Sequence, residues 1–173
     1  LDKIEGNRLV SAFNDFEAIV SIICSQNVSF AQYKEMVRKL VQKYGYRNSF
    51  PAPRTIIENA GNLKECGVGY RDTFILEAAK KLMLKGTLTD DDLNSMHGIG
   101  PYSRDIFRLF QKRDYSAFYV DTLIKKIFLE DYGANLVSDA DVRAFARKKF
   151  GEFSGLAELY LQKFLNDVDE DSA

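Results

Sequence analysis

The sequence predicts an all-α fold assembled from many short helices. Apolar residues recur at the three- and four-residue spacing of a helix face through most of the chain. Capping residues, prolines and glycines interrupt that pattern at short intervals. No run alternates with period two between hairpin turns, so no strand is predicted. Hydrophobic residues make up 46% of the 173 residues, too many for a disordered chain. The length suits one domain or two small ones sharing a core, with no internal repeat or low-complexity tract.

The elements follow in order. Phe16, Ile19, Val20 and Ile23 mark a first helix after Asn14 and Asp15, both capping types. Ser29-Phe-Ala-Gln32 reads as a capping box opening a second helix to about Lys43, stopped near Gly45. Pro51 and Pro53 break the chain before a short helix over Arg54 to Ala60. Gly67 and Gly69 punctuate the next turn, and a helix runs from Tyr70 to about Leu82 with Phe74, Ile75 and Ala78 on one side. Thr89 caps Asp90-Asp91-Asp92, acids that suit the positive end of a helix dipole. Pro101 opens a helix to about Lys112, and Asp121 precedes another. Ser138-Asp-Ala-Asp141 starts one more, and Gly155 to Leu165 forms the last.

Composition excludes several classes. Two cysteines, Cys24 and Cys66, are too few for a disulfide framework, a structural zinc or an iron–sulfur cluster. No apolar run reaches the roughly 20 residues of a membrane-spanning helix, and no signal peptide opens the chain. The expectation is therefore an intracellular domain without metal and without a membrane partner. The chain begins with Leu1 rather than Met, as a fragment or trimmed chain would. The 24 basic and 25 acidic residues leave a net charge of −1, which is not that of a generic nucleic-acid binder. Asp167, Asp169, Glu170 and Asp171 crowd the tail from Asn166, however. Without it, 24 basic residues face 21 acidic ones. Lys34 to Lys43, Arg104 to Arg113 and Arg143 to Lys149 are locally basic, as solvated helix faces often are. Overall charge leaves the question of nucleic acid open.

The informative segment is Leu93-Asn-Ser-Met-His-Gly-Ile-Gly-Pro-Tyr-Ser-Arg-Asp105. It reads as helix, tight Gly98-Ile99-Gly100 hairpin, helix. Glycines at alternate positions let the backbone turn sharply and approach a ligand closely, while Ile99 plugs the hairpin into the core. Amides of such a turn and of the helix start after it suit an anion such as a phosphate. An ordinary turn between helices has the same glycines. Val120-Asp121-Thr122 follows at the next helix start. An isolated aspartate there is usually a cap. It is also the group needed where a glycosidic bond breaks through a cation-like sugar, and the cap would fix its orientation.

The order of these motifs resembles the HhH-GPD superfamily of DNA glycosylases, over most of the chain. Phe16-Glu-Ala-Ile-Val-Ser-Ile-Ile-Cys-Ser-Gln-Asn-Val-Ser29 resembles the family's first core helix and the polar loop after it. Leu63-Lys-Glu-Cys-Gly-Val-Gly-Tyr-Arg71 resembles the segment after the mid-domain turn, especially in 8-oxoguanine glycosylases. Gly155-Leu-Ala-Glu-Leu-Tyr-Leu161 resembles the closing helix of the alkylpurine and 8-oxoguanine branches. The resemblance implies two helical subdomains with a DNA cleft between them: residues 8–114, ending in the helix-hairpin-helix, and residues 1–7 plus 115–173, carrying the aspartate. It also implies base excision, in which a damaged or mismatched base is flipped from duplex DNA and its N-glycosidic bond cut. By matching positions, Asp121 is the catalytic carboxylate. Gly98, Gly100 and His97 lie near a backbone phosphate, with a monovalent cation at the hairpin carbonyls compatible with such a turn. Asn27, with Gln26 beside it, stands where the family fills the gap left by the flipped base. Tyr70 and Arg71 match an aromatic wedge and its basic neighbour on the opposite strand.

Two departures matter. Bifunctional members carry a lysine two residues after the second hairpin glycine, and this chain has Tyr102, which lines the site in mismatch thymine/uracil glycosylases. The simplest chemistry is then hydrolysis by water, with Lys125 or Lys126 as alternative amines for a lyase step. Arg104 stands where the family usually has alanine, so packing behind the hairpin must differ. For the base itself the pointers divide. Gly-Val-Gly-Tyr-Arg leans toward 8-oxoguanine and Tyr102 toward mismatched uracil or thymine, while Phe30, Tyr33, Tyr102 and Tyr119 are the available aromatic walls. A hairpin module without catalysis and a helical protein-interaction domain are the rival classes. A monomer is expected, in the cytoplasm or nucleoid of a prokaryote or the nucleus of a eukaryote.

Overall fold

A computed structural model describes residues 8–132 and 138–161. All regular structure among them is helical. The chain divides into two units, Ser11–Phe107 and a second made of Leu1–Val10 with Arg108–Ala173.

In the first unit, α1 (Asp15–Ser25) is capped by the Asn14 side chain, which accepts the Glu17 amide at 2.9 Å. The expected stripe of Phe16, Ile19, Val20 and Ile23 is buried, but so are Ala18, Ile22 and Cys24. The helix is central, covered by α2 (Phe30–Tyr44) and α4 (Arg71–Lys85), and needs apolar residues on nearly every side. The capping box of Ser29 and Gln32 opens α2 as the sequence predicts. The short helix expected over Arg54 to Ala60 is instead α3 (Pro53–Glu58) followed by a 3₁₀ segment, Ala60–Cys66. Pro53 fits the first turn, and Asn59 Nδ2 donates to the Thr55 carbonyl at 2.8 Å, which ends the α-helix locally. Helix α4 runs three residues beyond Leu82 to Lys85, where Gly86 supplies the left-handed cap.

Thr89 and Asp92 form a second capping box for α5 (Asp90–Ser95). Asp92 is buried, and the Lys85 ammonium at 2.5 Å together with the Thr89 bonds holds its carboxyl well below the usual range. The folded group thus ionises more readily than the unfolded one. Its stabilisation is full above the unfolded value of 3.8 and is lost as pH falls further. Asp92→Ala is expected to cost about 2 kcal/mol at neutral pH, read as a lower denaturant midpoint, because it removes the acid half of the capping box together with the bond to Lys85. The difference from the parent should shrink in acid.

Helix α6 (Pro101–Ile106) does not continue as one α-helix to Lys112; it widens into a π-helical stretch, Phe107–Gln111. Phe107 belongs to the core of the first unit, and Leu109, two residues on, is also fully buried.

The second unit is built on α7 (Thr122–Tyr132), α8 (Asp139–Phe150) with its Ser138–Asp141 capping box, a 3₁₀ turn over Gly151–Phe153, and α9 over residues 154–161. Phe118, Val120, Ile124, Phe128, Val142 and Ala146 form its core. The expected end of the last helix at Leu165 and the acidic tail from Asn166 lie outside the described residues. Helix α9 is pinned at its start. Ser154 Oγ donates to the Ser116 carbonyl at 3.1 Å, and the Gly155 amide donates to the Tyr115 carbonyl at 2.8 Å. The approach is so close that a Cβ on Gly155 would stand 2.1 Å from the Ala117 carbonyl oxygen.

Candidate functional site

The hairpin forms where the sequence places it. Gly98 takes a left-handed φ of +75°, and a Cβ there would lie 2.5 Å from the Phe74 ring. Both conformation and contact therefore require glycine. Ile99 is buried as the plug, Gly100 is the N-cap of α6, and Pro101 is its first residue. The Arg104 guanidinium reaches back to Asn94 Oδ1 on α5, so the long side chain is spent behind the hairpin.

Two side chains knit the surrounding loops into one cluster. Gln26, after α1, donates through Nε2 to the Gly98 carbonyl at 2.7 Å and to Ser103 Oγ at 3.1 Å. Arg71, only 7% exposed, donates from Nε to the Ile23 carbonyl at 3.2 Å and from Nη1 to the Val68 carbonyl at 3.5 Å, and its Nη2 reaches the Gln26 carbonyl. Its guanidinium is turned inward and holds the loop between α1 and α2 against the turn before α4. In the free chain Arg71 thus serves as scaffold. Gln26 likewise ties its loop to a hairpin carbonyl. Among the described residues no group of three or more His, Cys, Asp or Glu side chains is gathered for a metal.

The cluster holds other groups outward. Tyr70 is 57% exposed, edge-on to Phe74 with centroids 5.9 Å apart, and the Arg71 guanidinium lies 4.6 Å from its ring centre. Phe74 therefore supports both the aromatic at the helix start and the hairpin glycine. Asn27 is exposed with a left-handed φ of +52°. Tyr102 is 40% exposed on the first turn of α6. His97 is exposed, with its amide at 3.2 Å and Nδ1 at 3.1 Å from Glu77 Oε2. The Cys24 thiol, by contrast, is buried and pushed up to about 12 by that burial, so it offers no nucleophile.

In the second unit, Asp121 stands immediately before α7. Its Oδ1 accepts the Ile124 amide at 2.8 Å and its carbonyl accepts the Lys125 amide at 3.0 Å. It is the helix cap that the sequence predicts, with the carboxylate held in one orientation. Lys125 Nζ is engaged by Asp139 at 2.9 Å. The sequence reading passed over Glu158, on α9. This carboxyl is fully buried, and neither oxygen completes a hydrogen bond among the described residues. Burial pushes it up to about 8; the nearby Tyr119 hydroxyl works against that rise and the negative charge of Asp121 adds to it. The available signal was a single acid inside the small and apolar run Gly155-Leu-Ala-Glu-Leu-Tyr-Leu161.

Residues 20–152 match the model of the HhH-GPD superfamily base excision DNA repair proteins, and the chain belongs to that superfamily. It is 27% identical, over 93% of its length, to a probable N-glycosylase/DNA lyase of Methanothermobacter thermautotrophicus, and it covers 64% of that protein. Among solved structures, the 8-oxoguanine glycosylase/lyase of Clostridium acetobutylicum, in complex with double-stranded DNA, superposes with a TM-score of 0.82 at 28% identity, over 97% of this chain and 66% of that one. A 3-methyladenine DNA glycosylase from Archaeoglobus fulgidus shares the fold, with a TM-score of 0.71 at 24% identity over 91% of this chain. The chain thus spans about two-thirds of the length of its relatives.

Proposed function

We propose that the protein is a DNA N-glycosylase that flips a damaged base from duplex DNA and hydrolyses its N-glycosidic bond. The observation that carries this reading is a carboxylate at the family's position, Asp121, locked by its own cap. As the base departs with the bonding electron pair, the sugar becomes cation-like. The carboxylate stabilises that charge and accepts a proton from the water that attacks the anomeric carbon. Gly98 and Gly100 would let hairpin amides meet a backbone phosphate, Tyr70 would act as the wedge, and Asn27 would enter the space left by the flipped base.

The base favoured is 8-oxoguanine. The Gly67-Val68-Gly69-Tyr70-Arg71 turn and the relative described with cytosine opposite 8-oxoG support it. Tyr102 offers no amine, so the product is an intact strand with an abasic site. The second reading, a lyase using another lysine, is favoured by relatives described as N-glycosylase/DNA lyases. Lys125, one such amine, is engaged by Asp139.

An oligonucleotide panel tests these points: 8-oxoguanine opposite cytosine, uracil and thymine opposite guanine, alkylated adenine and hypoxanthine. The expected result is release of 8-oxoguanine, a nick only after alkali, and no borohydride-trapped adduct. Nicking without alkali together with trapping establishes the lyase instead. Duplex binding that weakens steeply with salt, with no base released, reduces the protein to a DNA-binding module.

A further inference from the structure

We propose that the second unit carries a nucleotide-binding site, in which Arg113 and Arg147 take the phosphate and the rings of Tyr115 and Phe153 take the base. Residues 113–116 line an open pocket of about 540 Å³ together with residues 147 and 151–153. That volume is within the range of small-molecule sites. Both segments belong to the second unit. None of these residues has a part in the excision chemistry, so the inference stands apart from the glycosylase reading.

The charge of the pocket is cationic wherever it is not already paired. The Asp114 carboxylate accepts from Arg108 Nη2 at 2.5 Å, from the Ser116 amide at 3.0 Å and from the Ser116 hydroxyl at 2.6 Å. Glu152 is then the remaining acid against two exposed guanidiniums. Among the described residues neither Arg113 nor Arg147 has a hydrogen bond or an ion pair. The negative end of α8 accounts for a last turn of Arg147, Lys148 and Lys149. It does not account for Arg113, which comes from another segment and takes a left-handed φ of +59°. Glycine or asparagine is the ordinary residue in that conformation, and arginine is strained there. A long cation set in a strained turn, at a pocket that holds a second one, is matched to an anion. Guanidinium forks suit the oxygens of a phosphate.

The aromatic pair supplies the other half. Tyr115 and Phe153 are exposed, with ring centroids 6.4 Å apart and planes tilted by 25°. Near-parallel rings open to solvent are a surface on which any planar base can stack. Backbone bonds hold both residues in the free chain. The Tyr115 carbonyl accepts the Gly155 amide at 2.8 Å, and Ser154, next to Phe153, donates to the Ser116 carbonyl at 3.1 Å. Binding therefore need not order the pair first. Phosphate alone or a ring alone engages half of the site, whereas a nucleotide engages all of it. A free nucleoside monophosphate and one unpaired nucleotide of a strand offer that same chemistry.

The test is an NMR titration of the full chain with dAMP, deoxyadenosine, inorganic phosphate and single-stranded tetradeoxyadenylate. dAMP should shift the amides of residues 113–116 and 147–153 and bind about tenfold more tightly than deoxyadenosine or phosphate. Arg113→Gly should weaken dAMP by about tenfold with the chain about as stable, because glycine accepts the left-handed turn. Phe153→Leu should weaken dAMP similarly and leave phosphate binding as it was. If Arg113→Gly does not fold, Arg147→Gln, on the exposed side of α8, makes the same test. Tighter binding of tetradeoxyadenylate than of dAMP supports the site with a strand as its source, and equal or weaker binding supports it with the free nucleotide. Shifts confined to the hairpin, equal affinity for phosphate and dAMP, or variants that bind dAMP as the parent does each overturn the proposal.

Discussion

Asp121→Asn is expected to slow single-turnover excision of the favoured lesion by about a thousandfold or more, with the chain still folded and still bound to duplex DNA. The substitution separates two duties of one side chain. Asparagine caps a helix as well as aspartate does, so the bond to the Ile124 amide and the start of α7 are retained. What is lost is the full negative charge opposite the developing sugar cation, together with the group that takes the water's proton. Affinity for DNA should hold or rise, because an anion near the phosphates has been removed. A variant that excises at the parental rate would leave Asp121 as a cap alone. The readout is quenched single-turnover cleavage after alkali, with fluorescence anisotropy for binding and circular dichroism for the fold.

Gly155→Ala is expected to produce the largest loss of stability among conservative changes in the second unit. The added methyl carbon meets the Ala117 carbonyl oxygen at 2.1 Å and the Tyr115 carbonyl oxygen at 3.0 Å. Both are backbone atoms, which cannot rotate away as a side chain would. Relief requires α9 to lift, breaking the Gly155 and Ser154 hydrogen bonds together. The cost should be about 3 kcal/mol, at the upper end for overpacking, and the melting temperature should drop by on the order of 10 °C. Thermal denaturation of the two proteins side by side measures it; a shift within a degree or two would mean the contact yields easily.

Much of the architecture could be read before any coordinates, because helix ends are written in local chemistry. Ser29 with Gln32, Thr89 with Asp92, and Ser138 with Asp141 each close a capping box where the sequence places a helix start. The hairpin is legible for the same reason, since Gly98, Ile99 and Pro101 each meet a local demand. The breaks at Asn59 and Phe107 are less visible. The first depends on a side chain choosing its own backbone, and no capping residue, proline or glycine marks the second. Within the candidate site, the surroundings of the charged groups were the least legible part. Arg71 reads as the basic neighbour of a wedge on the opposite strand, yet in the free chain it is buried on carbonyls of Val68 and of the distant Ile23. Glu158 reads as one acid among many, and only its burial beside Tyr119 sets it apart. Both depend on long-range packing, which spacing along a chain does not record.

The carbonyl acceptors around Arg71 have a mechanical consequence. A guanidinium fastened to neutral oxygens has no carboxylate to titrate away, so the clasp should survive changes of acidity and ionic strength that would loosen an ion pair. The loops bearing Asn27 and Tyr70 are then held in place in the free chain. On the glycosylase reading the protein would then act as a die, and most of the bending would fall to the nucleic acid.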